Sequence, residues 1–153
     1  MIIRKLQKQD LTQALEICRE MREHHRAFLN GYFKPLDDEF EMQALQASLD
    51  DDKAIALVAE VDGQIAGLLQ ADIKFRPYLE TEEFCHVGGL GVLPAFRRRG
   101  IAKALMDELF AICRDLEIAE LSLGVFNDNK GAYKLYEELG FTPLEQKMHL
   151  RLD

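Results

Sequence analysis

The stretch AIALVAEVDGQIAGLLQADIKF constrains the fold most. Two apolar runs meet at Asp62-Gly63, and a two-residue Asp-Gly turn is the strongest short-range signal for a hairpin, because both turn residues must accept positive φ. The chain therefore contains an antiparallel strand pair, and the rest must pack around it. The segments before and after change period. Leu11, Ala14, Leu15, Cys18 and Met21 recur at helical spacing, with Asp10 at the cap position and Gln13 three residues later. A second helix is expected from about Asp38 to Leu49, through Phe40, Ala44, Leu45 and Leu49. A short strand is expected from Ile2 to Leu6. His24–Pro35 reads as a mixed connection broken by Gly31 and Pro35.

Beyond the hairpin, EEFCHVGGLGV reads as a strand weakened by Gly88, Gly89 and Gly91. Glycines inside a strand mark a bulge or a close approach to the backbone. After Gly100, one helical face carries Ile101, Leu105, Leu109, Ile112 and Leu116. AELSLGVF gives another strand, Asn129–Leu139 a helix stopped by Gly140, and QKMHLRL a closing strand. The expected order is β-α-α-β-β-β-α-β-α-β, an α/β domain with a mixed sheet.

With 153 residues, the chain suits one domain spanning 1–153 with a sizeable core. Nineteen Lys plus Arg against 27 Asp plus Glu leave a net charge of −8. That balance argues against a nucleic-acid surface, which needs a basic face. It suits a cationic partner or simple acidic solubility. Cys18, Cys85 and Cys113 are odd in number and form no Cys-x-x-Cys pair, so neither a metal site nor a disulfide framework is expected. No signal-peptide pattern and no run of transmembrane length is present, so a cytoplasmic protein with no membrane partner is expected.

Within this acidic chain, VLPAFRRRGIAKALM places three cations before a helix. The first N–H groups of a helix lack intrahelical acceptors and favour anions. Gly100 can turn where a side chain would clash, Ala102 is small enough to let a ligand approach, and Arg97, Arg98 and Arg99 add charge. A pyrophosphate fits this arrangement, as does a solvated basic triplet. No Gly-Lys-Ser/Thr follows, so the loop is not a Walker A loop, and Gly89-x-Gly91 lacks the third glycine of a dinucleotide fingerprint.

The same stretch resembles the acetyl-CoA loop of the Gcn5-related N-acetyltransferases (GNAT), Arg/Gln-x-x-Gly-x-Gly/Ala, with Arg97, Gly100 and Ala102 in the defining places. NKGAYKLYEELGF, from Asn129 to Phe141, resembles the family's Asn-x-x-Ala…Tyr…Gly-Phe segment, and the element order agrees. The resemblance implies a GNAT-like, mostly antiparallel central sheet flanked by helices, with acetyl-CoA between two splayed parallel strands, here Glu83–Val92 and Leu121–Phe126. Backbone groups of Leu90 and Val92 would meet the pantetheine arm and acetyl carbonyl. The loop from Arg97 through Arg98, Arg99, Gly100 and Ile101 to Ala102 would wrap the pyrophosphate, mainly by amides. Asn129 would contact the cofactor or order the opening.

The resemblance also assigns Tyr136, rather than Tyr133, as the acid that protonates the departing thiolate. His86 stands where some members carry a basic glutamate. A histidine can take a proton near neutral pH; Glu83 and a water chain remain alternatives, and a structural role fits too. Cys85 neighbours His86, and adjacent strand residues point to opposite faces, which argues against a thiol–imidazole pair.

The acceptor wall is expected in EHHRAFLNGYFKP, with His24, His25, Tyr32 and Phe33, near Asp37, Asp38 and Glu39. Aromatics and carboxylates suit a cationic amine: a polyamine, an aminoglycoside, an amino acid or a protein amine. Two other readings stand beside the enzyme, a non-catalytic acyl-CoA sensor or assembly module of the same fold and an unrelated phosphate binder. A homodimer through an open sheet edge is compatible with the pattern.

Overall fold

The computed structural model describes residues 1–29 and 31–152. Asn30, inside the expected connection, and Asp153, the end of the expected 1–153 domain, lie outside the described residues. The elements are β1 (Ile2–Lys5), α1 (Leu11–Phe28), α2 (Asp38–Asp50), β2 (Ala54–Val61), β3 (Gln64–Phe75), β4 (Glu83–Val92), α3 (Ile101–Asp115), β5 (Leu121–Leu123) and α4 (Lys130–Glu138). The strands form one mixed, mostly antiparallel sheet in the order β1-β2-β3-β4-β5. Every neighbouring pair is antiparallel except β4–β5. The hairpin signal is realised at Asp62 and Gly63, with φ of 52° and 79°.

Both faces of the sheet are covered. Val58, Ile65 and Leu68 pack under α1 and α2 with Leu11, Ala14, Ile17 and Leu45. Leu57, Leu69, Ala71, Cys85 and Val87 pack under α3 with Ile101, Leu105, Leu109 and Cys113. Neighbouring residues such as Leu68 and Leu69 thus go to opposite cores, which is why β2 and β3 read as nearly continuous apolar runs. Phe141, just past α4, joins the α3 side.

Three expectations fail locally, each for a physical reason. Asp10 makes no side-chain cap to α1. Its carboxylate, 3% exposed, instead takes two hydrogen bonds from Arg4 at 2.6 and 2.9 Å and one from Gln7 N–H at 2.9 Å. A buried carboxylate gains more from a guanidinium than from one amide, and the Arg4 bonds hold its pKa below the usual value. Gln13 serves the hairpin, accepting from Ile65 N–H at 2.9 Å. The connection expected from His24 to Pro35 starts later, since α1 runs on to Phe28 with no breaker before Gly31.

The third failure is the closing strand, which does not form. Residues 142–152 carry no secondary structure, and Met148, Leu150 and Leu152 are 87%, 80% and 82% exposed. Their alternation gives a strand pattern, but among the described residues no strand lies beside them: β5 pairs only with β4. A strand needs a partner to satisfy its backbone.

Candidate functional site

The site begins where two strands part. β4 and β5 are paired only over Cys85↔Leu121, His86↔Ser122 and Val87↔Leu123. β4 continues to Val92 after β5 has ended. Opposite β3, Val87 faces Ala71 and Gly89 faces Gln70, so Gly88 is the extra residue of a bulge. Leu93 N–H donates to Ala66 O of β3 at 2.9 Å. Alternation then turns the N–H and C=O groups of Leu90 and Val92 away from β3, into the opening. Val92 O is taken by Arg97 Nε at 3.1 Å, so that residue offers its N–H.

The opening runs into the arginine loop. Arg98 and Gly100 both have left-handed backbones, φ 64° and 77°, and Gly100 leads directly into α3. The consecutive amides from Arg98 to Lys103 have no hydrogen-bond acceptor among the described residues; the first amide satisfied is Ala104, by Gly100 O at 3.0 Å. A run of free N–H groups at a helix start can hold an anion. An arginine at positive φ costs on the order of 1 kcal/mol, and strain of this kind gathers at functional sites.

The three arginine side chains behave differently. Arg97 turns back, bonding Glu20 at 2.8 Å as well as Val92 O. Arg99 lies over the Phe96 ring, 5.3 Å from its centroid. Arg98 has no side-chain partner among the described residues. Ile101, 2% exposed, is a core residue whose side chain cannot reach a ligand, so only its amide serves the cradle. Ala102 is half-buried.

The strand glycines divide by role. A Cβ on Gly91 would lie 2.5 Å from Met21 Cγ and 2.9 Å from Ile17 Cγ2, so this glycine makes room for α1. Only Gly88 serves the bulge.

Downstream, Asn129 caps α4, its Oδ1 accepting from Ala132 N–H at 3.2 Å. Lys134 is a surface residue, 3.9 Å from Glu138. Tyr136 is half-buried with its ring edge-on to Phe141, 5.8 Å between centroids. Its hydroxyl has no partner among the described residues. Burial pushes its pKa up, which keeps the phenol protonated.

His86 projects to the α1 side, opposite Cys85, which is fully buried in the α3 core. Burial pushes the Cys85 thiol up to about 12, so it is neither paired with His86 nor ionised near neutrality. His86 Nδ1 lies 2.9 Å from Ser122 Oγ. Burial depresses its pKa, with Lys74 and Arg76 adding and Asp72 opposing. Glu83 sits exposed at the far end of β4, opposite Phe75.

On the acceptor side the aromatic wall is wider than its sequence segment. His25 packs edge-on to Phe126 at 5.3 Å, Phe33 lies 5.6 Å from Phe126, and Arg22 lies over Phe33 at 5.4 Å. Tyr32 packs edge-on to Phe33, while His24, exposed, packs on Phe28. Burial lowers the His25 pKa, with His24 and Arg22 adding. The nearby carboxylates are occupied. Asp37 caps α2 through Phe40 N–H, Asp38 binds Arg19 at 2.7 and 3.0 Å, and Glu39 lies 3.5 Å from Gln43.

Phe126, Ser122 and Asp72 were not singled out in the sequence. A signal for Asp72 was present: Gln70, Asp72 and Lys74 alternate as polar residues along an otherwise apolar strand, which marks a wetted face.

A sheet that splays at a bulge and leads into a helix with open amides is an α/β framework for binding an extended anionic ligand. The chain belongs to the acetyltransferase (GNAT) family, whose model matches residues 11–141. An L-amino acid N-acetyltransferase of Escherichia coli K12 is 36% identical over 56% of this chain and 51% of its own length. An uncharacterised N-acetyltransferase of Methanocaldococcus jannaschii is 31% identical over 94% of this chain and 61% of its own. The chain thus spans only about half to three-fifths of these relatives' lengths. Among solved structures, the aminoglycoside N-acetyltransferase AAC(6')-Iy, in complex with the bisubstrate analogue CoA-S-monomethyl-acetylneamine, superposes with a TM-score of 0.77 at 21% identity, over 99% of this chain and 97% of that one.

No helix of the described residues is long and apolar enough to cross a membrane. Among those residues no group of His, Cys, Asp and Glu could hold a metal ion.

Proposed function

We propose that residues 1–153 work as one acetyl-CoA-dependent N-acetyltransferase domain, moving the acetyl group directly to a primary amine of a cationic acceptor. The observation that carries this reading is the continuity between the open side of β4 and the free amides at the start of α3. A pyrophosphate on the Arg98–Lys103 amides leaves the pantetheine arm to run along Leu90 and Val92. A free N–H at the bulge then meets the thioester carbonyl as it gains negative charge, an effect worth roughly 10²–10³ in rate per donor elsewhere.

An amine with a pKa near 10.4 is protonated at pH 7, and freeing its lone pair costs roughly 4.6 kcal/mol. His86 takes that proton. The amine nitrogen attacks the carbonyl carbon, the C–S bond breaks, and the departing sulfur is protonated by Tyr136. The raised pKa of Tyr136 keeps that proton in place until the thiolate develops. The E. coli relative and the structural neighbour act by name on an L-amino acid and an aminoglycoside, both amine-bearing, which supports an ammonium-bearing acceptor. A homodimer belongs to the same proposal, supported by the unpaired edge of β5 and the exposed alternation of Met148, Leu150 and Leu152.

The test is release of the CoA thiol from acetyl-CoA across a panel of amines, comparing wild type with Tyr136→Phe. Turnover with at least one amine is expected, and the variant should lose about 10²-fold in kcat with little change in KM. Tight CoA binding with no transfer to any amine would replace the enzyme by an acyl-CoA sensor or assembly module.

A further inference from the structure

We propose that Asp72, His86 and Ser122 form the seat of the acceptor's ammonium group, with Asp72 as its specificity-determining anion and Ser122 as the residue that positions the imidazole. This rests on the amine-transfer reading above. The three residues stand in one cross-strand row: Asp72 is opposite His86 in the β3–β4 register, and His86 is opposite Ser122 in the β4–β5 register. All three are partly exposed and lie on the face away from the α3 core. Directly opposed Cβ atoms on one sheet face stand about 5 Å apart, so a single ammonium nitrogen can touch the tips of both Asp72 and His86.

The proposed seat includes a proton acceptor, Nε2 of His86 in its Nδ1–H tautomer. His86 Nδ1 is engaged by Ser122 Oγ at 2.9 Å, and Nε2 has no hydrogen-bond partner among the described residues. No side-chain nitrogen or oxygen there is buried without a partner, so Nε2 opens to solvent. With Nδ1–H donating to Ser122 Oγ, the lone pair is on Nε2. One N–H bond of the ammonium breaks, its electron pair stays on the amine nitrogen, and the proton binds Nε2. Nδ1–H donates to Ser122 both before and after, so the ring need not turn during the step.

Asp72 is the carboxylate that the register sets directly opposite His86. Nearby acids on the α1 and α2 side are engaged: Glu20 with Arg97, Glu23 with Arg26, Asp37 as a cap and Asp38 with Arg19. Among the described residues Asp72 has only a long contact to Lys74 at 3.5 Å, and its side chain is 46% exposed. An incoming ammonium can displace that lysine, since an exposed pair of this length contributes little.

Three measurements on the intact protein with CoA bound test the seat. Calorimetry with putrescine, a dication, should show Asp72→Asn weakening binding about tenfold or more, with the affinity for CoA unchanged. Nitrogen NMR of His86, assigned with His86→Gln, should show the Nδ1–H tautomer in wild type and a mixture in Ser122→Ala. In turnover, Ser122→Ala should lower kcat about tenfold at unchanged KM, and Ser122→Thr should restore it. Unchanged putrescine affinity in Asp72→Asn, or an Nε2–H tautomer in wild type, overturns the proposal. The binding and tautomer readouts need no turnover. A wild type that passes both and acetylates nothing therefore defeats the transfer reading while the seat stands as a cation-binding site.

Discussion

The two ends of the site are built from different materials. At the α3 end the proposed binding groups are backbone amides, fixed by a left-handed residue at Arg98 and another at Gly100, while two of the three arginine side chains are turned to protein partners. At the β5 end the proposed groups are side chains, His86, Ser122, Asp72 and the aromatic wall, contributed by α1, the loop after it, β3, β4 and β5. A backbone site tolerates most side-chain changes and fails when its dihedrals or its space are altered. A side-chain site fails one residue at a time.

Gly100→Glu should break the first end most severely. At φ 77° any side chain is strained, although a Cβ there meets nothing within 4 Å, and the carboxylate would stand in a cradle built for anions. Affinity for CoA should fall about 10²-fold or more by titration calorimetry. Gly100→Ala isolates the strain and should cost only about 1–2 kcal/mol of stability, with CoA binding kept. Equal binding losses in the two variants would mean that the glycine's conformation, and not the space and charge it leaves, is what the ligand needs.

Gly91→Ala tests a glycine that packs against α1. The added methyl meets Met21 and Ile17 at under 3 Å, so α1 must shift or Met21 must change rotamer. A destabilisation of about 1–3 kcal/mol is expected in urea unfolding, relieved by Met21→Ala in the same chain. Gly88→Ala should cost much less, because a Cβ there has only Gln70 O, at 3.8 Å.

The contrast between the two ends also explains what could be read from the sequence. Arg97-x-x-Gly100-x-Ala102 is legible because a tight left-handed turn and a close approach demand particular residues at fixed spacing. The hairpin at Asp62-Gly63 is legible for the same reason. Asp72 and Ser122 are not, because the row exists only once three strands are in register, thirty-six residues separating His86 from Ser122. Side-chain competition also hides from a linear reading: Asp10 looked like a helix cap and is held by Arg4, and Asp38, expected near the acceptor wall, is held by Arg19. The tail's strand pattern was correct as a pattern and failed as structure for want of a neighbour.

At the second end, pH sharpens the comparison. The His86 pKa lies below its ordinary value near 6.5, since burial and the nearby Lys74 and Arg76 disfavour the imidazolium more than Asp72 favours it. The neutral, proton-accepting form therefore predominates at pH 7. kcat/KM should be level near neutrality on this account and fall about tenfold per pH unit only below that depressed value. His86→Gln should lower the plateau and remove this limb, leaving CoA affinity flat across the same range. A limb that survives the substitution would assign the proton to water or to another group.

The smallest expected effect is the most diagnostic. Arg98→Ala removes the arginine of the triplet that has no side-chain partner among the described residues, so folding stability should change by less than about 0.5 kcal/mol. If the amides carry the anion, CoA affinity should fall by no more than about threefold, and the loss should shrink as salt screens the remaining charge. Arg97→Ala is a different experiment, because it releases Val92 O and Glu20 together. Should Arg98→Ala abolish CoA binding while Gly100→Glu leaves it intact, the α3 end would be a side-chain site like the other, and its backbone geometry would be incidental.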